Sequence, residues 1–195
     1  MRASMAHMRG KCPRSNIRMR TMLIPAWIDG ASVAMDKLEV HRRGLRHPAV
    51  SVFVLDSAGR LLIQRRAPGK YHTPGLWANT CCTHPHVGEA AADCAARRLH
   101  EELGITGLTL HPAGSVEYRA EVGNGLVEHE LAAIFTACAA PDLAIRPDPA
   151  EVAETRWIAL PDLRADIAAD PARFTPWLRI YLADHARTIL GGLAG

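Results

Sequence analysis

No apolar run in this chain approaches the roughly 18–20 residues that a membrane-spanning helix needs, so no membrane partner is expected. The sequence also lacks an internal repeat and any low-complexity segment. Its 195 residues, 48% of them hydrophobic, are enough for one well-buried domain. Aromatic residues make up only 5%, so each of the four tryptophans has to be placed. Cysteine is sparse, with five residues at Cys12, Cys81, Cys82, Cys94 and Cys138. The number is odd, and Cys81 and Cys82 are neighbours that could bridge each other only under strain. These features point to a reduced, cytoplasmic protein. There is no second cysteine pair further along the chain, which argues against a structural zinc knuckle around Cys81, Cys82 and His84.

Acidic residues are absent from Met1–Thr21, which holds Arg2, Arg9, Lys11, Arg14, Arg18 and Arg20. The formal net charge of +3 comes from this arm: without its six cations, 17 basic residues face 20 acidic ones, leaving −3. A mildly acidic domain does not suit a nucleic-acid partner. The arm has no continuous apolar stretch of the kind a secretory signal uses. It can be read as a transit peptide, as a flexible tail for anionic partners, or as an extension ahead of Met22. Residues 1–21 are expected to be a disordered or dispensable arm, and residues 22–195 a single domain.

Within the domain, "AVSVFVLD" (Ala49–Asp56) reads as a strand and "RLLIQRR" (Arg60–Arg66) as its hairpin partner across Ser57–Gly59. "APGKYHTPGLW" (Ala67–Trp77) reads as a loop. "EAAADCAARRLHEELG" (Glu89–Gly104) predicts a helix: Ala91, Ala95 and Leu99 recur every four residues, as do Ala92 and Ala96 near Leu103. Gly104 stops it, and Glu89 sits at its positive end. A second hairpin is expected around Asn124-Gly125, joining Ser115–Glu121 to Leu126–Ala137. Glu154–Leu160 is a further strand. Thr175-Pro176 opens a last amphipathic helix running to about Leu190. The pattern is that of an α/β (α+β) protein, with a mixed sheet in an α/β/α sandwich.

Four groups of residues carry chemistry. The first is Cys82 with Cys81 and His84, for which a buried inert thiol is the plain alternative. Glu128 and Glu130 are two apart on a strand, so they share a face, as metal ligands or as a solvated surface. His41, His47 and His84 would complete a nitrogen and oxygen set for a divalent ion such as Mn²⁺, Mg²⁺ or Zn²⁺. Arg97 and Arg98 stand one turn before Glu101 and Glu102, as a salt-bridged solvent face or as phosphate and metal groups. Arg65, Arg66 and Lys70 could serve the same phosphates.

Together these residues resemble a known family. The run from Thr83 through Glu89 to "RRLHEELGI" is similar to the Nudix signature, with Thr83 in place of the usual glycine and Arg97-Arg98 in place of Arg-Glu. "NTCCTHP", "EHE" (Glu128–Glu130) and "FTPWL" (Phe174–Leu178) resemble the type I isopentenyl-diphosphate delta-isomerases, which use a Nudix fold. The resemblance covers about Ile24 to Leu190. It implies that Cys82 and Glu130 are catalytic, with Tyr118 as a proton relay and Trp177 facing a carbocation. It implies a metal site of His41, His47, His84, Glu128 and Glu130 for Mn²⁺ or another divalent ion. It implies Glu102 as ligand of a substrate-bound Mg²⁺, and Lys37, Arg66, Lys70 and Arg98 as diphosphate contacts. The substrate would be the small molecule isopentenyl diphosphate, and the protein a monomer or weak homodimer. Two rival readings are a Nudix-type diphosphate hydrolase, which needs Glu101 and Glu102 but not Cys82, and a non-enzymatic metal- or thiol-sensing domain.

The arm can be tested directly. Its charge bias leaves it little apolar surface to bury against the entropy of ordering. A chain starting at Met22 is expected to keep its thermal midpoint and its activity; a large fall in either would show that the arm docks on the domain.

Overall fold

Leu23–Ile28 (β1) and Ala31–Asp36 (β2) begin the computed structural model, which describes residues 22–191. The expected arm, with Cys12, lies outside the described residues. β1 and β2 pair as a hairpin closed by Asp29-Gly30, both at positive φ. Lys37–Arg43 (α1) follows, capped by the Asp36 carboxylate, which accepts from the Glu39 N–H at 3.1 Å. Next come Arg46–Leu55 (β3), Leu61–Arg66 (β4), Trp77–Ala78 (β5), Cys81–Thr83 (β6) and Ala91–Leu103 (α2). His111–Gly123 (β7), Leu126–Cys138 (β8) and Val152–Ile158 (β9) complete the strands. Leu160–Ala169 (α3), Pro176–Asp184 (α4) and Ala186–Leu190 (α5) end the described chain.

The strands β3 to β9 form one seven-stranded mixed sheet. Its path is β5-β4-β3-β8-β7, with β6 added to β3 and β9 to β4. β3 and β8 are parallel, and the other pairings are antiparallel. β3 explains the architecture. Its valine-rich run is buried on both faces, as expected for a strand with helices above and below. Ala49 and Phe53 face a cluster that includes Trp177, Leu178 and Tyr181 of α4, while Val50, Val52 and Val54 face Leu99 and Leu103 of α2. Helices thus cover both faces of a mixed sheet, as the sequence predicts.

Several expectations need correction. The strands β3 and β4 meet at a single register pair, Leu55↔Leu61, and then part. β6 takes the edge of β3 and β9 that of β4. The apolar runs of both strands reflect burial between neighbours on either side, not a simple hairpin. The predicted helix at Glu89 starts at Ala91, and its Ala92 and Ala96 face solvent. The buried stripe runs through Cys94, Ala95, Leu99, Glu102 and Leu103. Glu89 stays ahead of the helix, where its carboxylate accepts from the His86 N–H at 2.8 Å and from Arg97 at 2.6 Å. The last helix breaks at His185 and resumes at Ala186. Thr175 has extended backbone angles at its start but makes no side-chain cap bond. The Asn124-Gly125 turn is as expected, with φ of 55° and 70°. Neither β1, β2, α1 nor α3 was expected: α1 has seven residues, too few to show a helical period.

α2 carries Arg98 and Glu102, and its seat depends on Gly104. That residue has φ +65°, and a Cβ there would lie 2.9 Å from the Arg146 carbonyl oxygen. Gly104→Ala is expected to cost about 1–3 kcal/mol of stability, read as a lower thermal midpoint. An unchanged midpoint would show that the Arg146 loop yields freely.

Candidate active site

The pleat and the strand register assemble the site. Glu130 on β8 lies opposite His47 of β3 on one side and Tyr118 of β7 on the other. Cross-strand neighbours share a face, so the three side chains meet. Cys82 of β6 lies opposite Ser51 of β3. Ser51 is four residues after His47, so it points to the same face. Cys81, one residue earlier, points the other way, into the core beneath α2. The adjacent cysteines are therefore separated by the sheet itself. Cys81, Cys82, Cys94 and Cys138 are all free thiols.

The predicted metal ligands converge. His41 and His47 turn their Nδ1 atoms to the backbone carbonyls of Lys37 (2.6 Å) and Leu45 (2.7 Å). Their Nε2 atoms are left to face inward. His47 Nε2 is 3.1 Å from His84 Nε2, and the ligand atoms of His41, His47 and His84 lie within 4.8 Å of one another. Glu130 Oε1 is buried without an aligned donor, although His84 Nε2 is 3.0 Å away and His47 Nε2 3.8 Å. Buried imidazole nitrogens and a carboxylate oxygen that converge this closely fit a divalent cation with N/O preference. A second trio joins His41 to His72 and Glu128. His72 was not predicted; its Nε2 is 3.3 Å from Glu128 Oε1. It sits in the Pro- and Gly-rich stretch read only as a loop.

Electrostatics agree with that fit. Burial pushes His41 down to about 4, with His47 adding to it, and burial likewise holds His84 well below its ordinary value, with Lys37 next. Both imidazoles are neutral at physiological pH, as ligands of a cation would have to be. The Tyr118 hydroxyl is 2.8 Å from Glu128 Oε2 and 2.7 Å from Glu130 Oε2. One hydroxyl proton cannot serve two carboxylates. Tyr118 can donate to one and accept from the other only if that other carboxyl is protonated. Burial and the neighbouring Glu130 push Glu128 upward. Burial opposes ionising Glu130 too, but His47 and His84 outweigh it and hold that carboxyl well below its usual range. Glu128 is therefore the group that keeps the shared proton.

The thiol is neutral. Burial, then Glu130 and Glu128, raise the Cys82 thiol well above its ordinary value. Its sulfur accepts from the Ser51 hydroxyl at 3.3 Å, and Ser51 Oγ is 3.0 Å from the Tyr181 hydroxyl. Ser51 and Tyr181 were not singled out, because a serine inside a valine run and a tyrosine on an amphipathic helix read as packing.

At the other end lie the cations. Lys37, Arg66, Lys70, Arg98, Cys82, Glu130 and Trp177 line one cavity of about 30 Å³. Burial, reinforced by Lys70, lowers Lys37 to about 8. Arg98 Nη2 donates to Glu102 Oε1 at 2.5 Å, and Gln64 Nε2 to Glu102 Oε2 at 2.9 Å. The Arg66 guanidinium lies 5.3 Å over the Trp177 ring. Arg65 does not join them: the β4–β9 register shifts between Arg65 and Arg66, and Arg65 pairs with Glu154 at 3.0 Å. Arg97 and Glu101 likewise pair at 3.0 Å away from the cavity.

Residues 45–178 match the family model for the NUDIX domain, so the fold and the helix of α2 define a NUDIX-fold protein. A crystal structure of a Deinococcus radiodurans protein matches 82% of this chain and 96% of its own at a TM-score of 0.66 with 19% identity. A NUDIX hydrolase of Burkholderia pseudomallei matches 72% and 98% at 0.56 with 23% identity. These likenesses are of fold. Sequence relatives are more specific. The Isopentenyl-diphosphate Delta-isomerase of Cereibacter sphaeroides is 64% identical over 88% of this chain and 96% of its own. That of Dinoroseobacter shibae is 59% identical over 88% and 97%. The chain belongs to the isopentenyl-diphosphate Delta-isomerase family.

The fit to a metal is measurable. Glu128→Gln removes the charge of the carboxylate that faces His72 and leaves at most one oxygen to bind. Protein loaded with Mn²⁺ and then dialysed is expected to hold about one ion less per chain than the parent by elemental analysis. Equal metal content would make Glu128 a structural carboxyl only.

Proposed function

We propose that this protein converts isopentenyl diphosphate to dimethylallyl diphosphate by protonating and deprotonating the alkene through a tertiary carbocation. The observation that carries the reading is the shared sheet face. Cys82 from β6 and Glu130 from β8 line the same buried cavity, with Trp177 beside them. An unactivated alkene is a very weak base, so its protonation needs a strong acid and a dry site. One of Cys82 and Glu130 gives a proton to the terminal methylene carbon. The other takes a proton from the carbon two bonds away, and the double bond moves between them. Tyr118, bonded to both glutamates, passes a proton between Glu130 and Glu128. When Arg66 turns to the diphosphate, the Trp177 ring can attract the cationic carbon without trapping it.

Lys37, Arg66, Lys70 and Arg98 bind and orient the diphosphate, as the charged lining of the cavity supports. Glu102 would hold a substrate-bound Mg²⁺, and His41, His47, His84, Glu128 and Glu130 would hold Mn²⁺ or another divalent ion. Bound there, the two ions supply positive charge, to the diphosphate and to Glu130 respectively. The same reading makes Met1–Thr21 dispensable and the protein a cytoplasmic monomer or weak homodimer acting on a small molecule. No described helix is long and apolar enough to cross a membrane.

The two cysteines give the test. With isopentenyl diphosphate and Mg²⁺, Cys82→Ala is expected to lose about 10²- to 10⁴-fold in rate with its fold intact, as followed by proton NMR of the dimethylallyl product. Cys81→Ala, on the opposite face, should keep most of its rate. Similar rates in the two variants would remove Cys82 from the chemistry.

A further inference from the structure

The reaction leaves Glu151 without a task. It stands just before β9, and its backbone carbonyl accepts from the Ala67 N–H at 2.9 Å, which ties it to the loop that carries Lys70. Its side chain is 27% exposed. The carboxylate pairs with Lys70 Nζ and lies 3.4 Å from Arg98 Nη2. Those are two of the four cations read as diphosphate contacts. Carboxylate and phosphate oxygens offer ammonium and guanidinium groups the same kind of acceptor. Glu151 thus occupies, from within the chain, donors that a bound diphosphate would need. It also draws together two like charges that would otherwise repel.

We propose that Glu151 is a counter-ion latch: its carboxylate holds Lys70 and Arg98 in place in the ligand-free site and is displaced by an arriving diphosphate. The proposal rests on the reading of Lys70 and Arg98 as diphosphate contacts. Glu151 is a positioning residue, since it acts through these two cations. The latch lowers affinity, because both ion pairs are broken on binding. It also favours diphosphates, whose oxygens spread over two phosphorus centres and can replace both contacts at once. A different role, as a second carboxylate beside Glu102 for Mg²⁺, would give the opposite sign: removing the charge would weaken binding in Mg²⁺.

Calorimetric titration with inorganic pyrophosphate in excess Mg²⁺ separates these. The parent is expected to bind, and Glu151→Gln to bind about five- to tenfold more tightly, because two partly screened ion pairs no longer oppose it. Glu151→Ala, which keeps the backbone carbonyl, should shift in the same direction. Binding as weak as the parent's, or weaker, in both variants would overturn the latch while leaving the diphosphate site intact. Failure of the parent itself to bind pyrophosphate would overturn the diphosphate reading, and the latch with it.

Discussion

Two carboxylates buried side by side on one strand are costly unless their charge is answered, because desolvation of each is opposed only by what surrounds it. Glu128 and Glu130 are 2% and 0% exposed. The rest of the site is the answer. Tyr118 bridges the pair. The imidazoles of His41, His47 and His84 turn nitrogens inward, and His72 meets Glu128 from the loop. A divalent cation among these donors would complete the charge balance and would give the buried Glu130 oxygen a partner.

The sheet enforces this arrangement by parity. Along β3, His47, Ala49, Ser51 and Phe53 face one way and Val50, Val52 and Val54 the other. The pairing of Ser51 with Cys82 is fixed by the antiparallel β3–β6 ladder, and that of His47 with Glu130 by the parallel β3–β8 ladder. A one-residue slip of β8 would turn Glu128 and Glu130 toward α2, and a one-residue slip of β6 would bring Cys81 into the cavity. On the other face, α2 presents Arg98 to Glu102 across one turn. With an arginine where the NUDIX signature usually has glutamate, the helix offers a cation beside its carboxylate. That suits holding a diphosphate while the chemistry proceeds at the far end of the substrate.

Much of this was legible in the residues. The spacing of Glu128 and Glu130 told of a shared face, the Asn124-Gly125 turn located the β7–β8 hairpin, and the i,i+4 pairs of α2 are present as read. What stayed hidden depends on long-range pairing. The β3–β4 hairpin opens because β6 and β9 supply better partners, which no local pattern announces. Ser51 and Tyr181 are separated by 130 residues in sequence yet share a hydrogen bond. His72 and Glu151 come from segments without periodicity, and their meaning appears only when the fold brings them to Glu128 and to Lys70 with Arg98. Arg65 and Arg66 look equivalent until a register shift sends one to Glu154 and the other to Trp177.

The central claim is that this NUDIX fold excludes water from a carbocation instead of aiming water at phosphorus. Running the reaction in D₂O with Mg²⁺ and isopentenyl diphosphate, and reading carbon-bound deuterium and phosphorus by NMR, tests it most directly. The account predicts deuterium in both five-carbon diphosphates and no release of phosphate or pyrophosphate. Phosphate release without deuterium incorporation would contradict it and make the protein a diphosphate hydrolase.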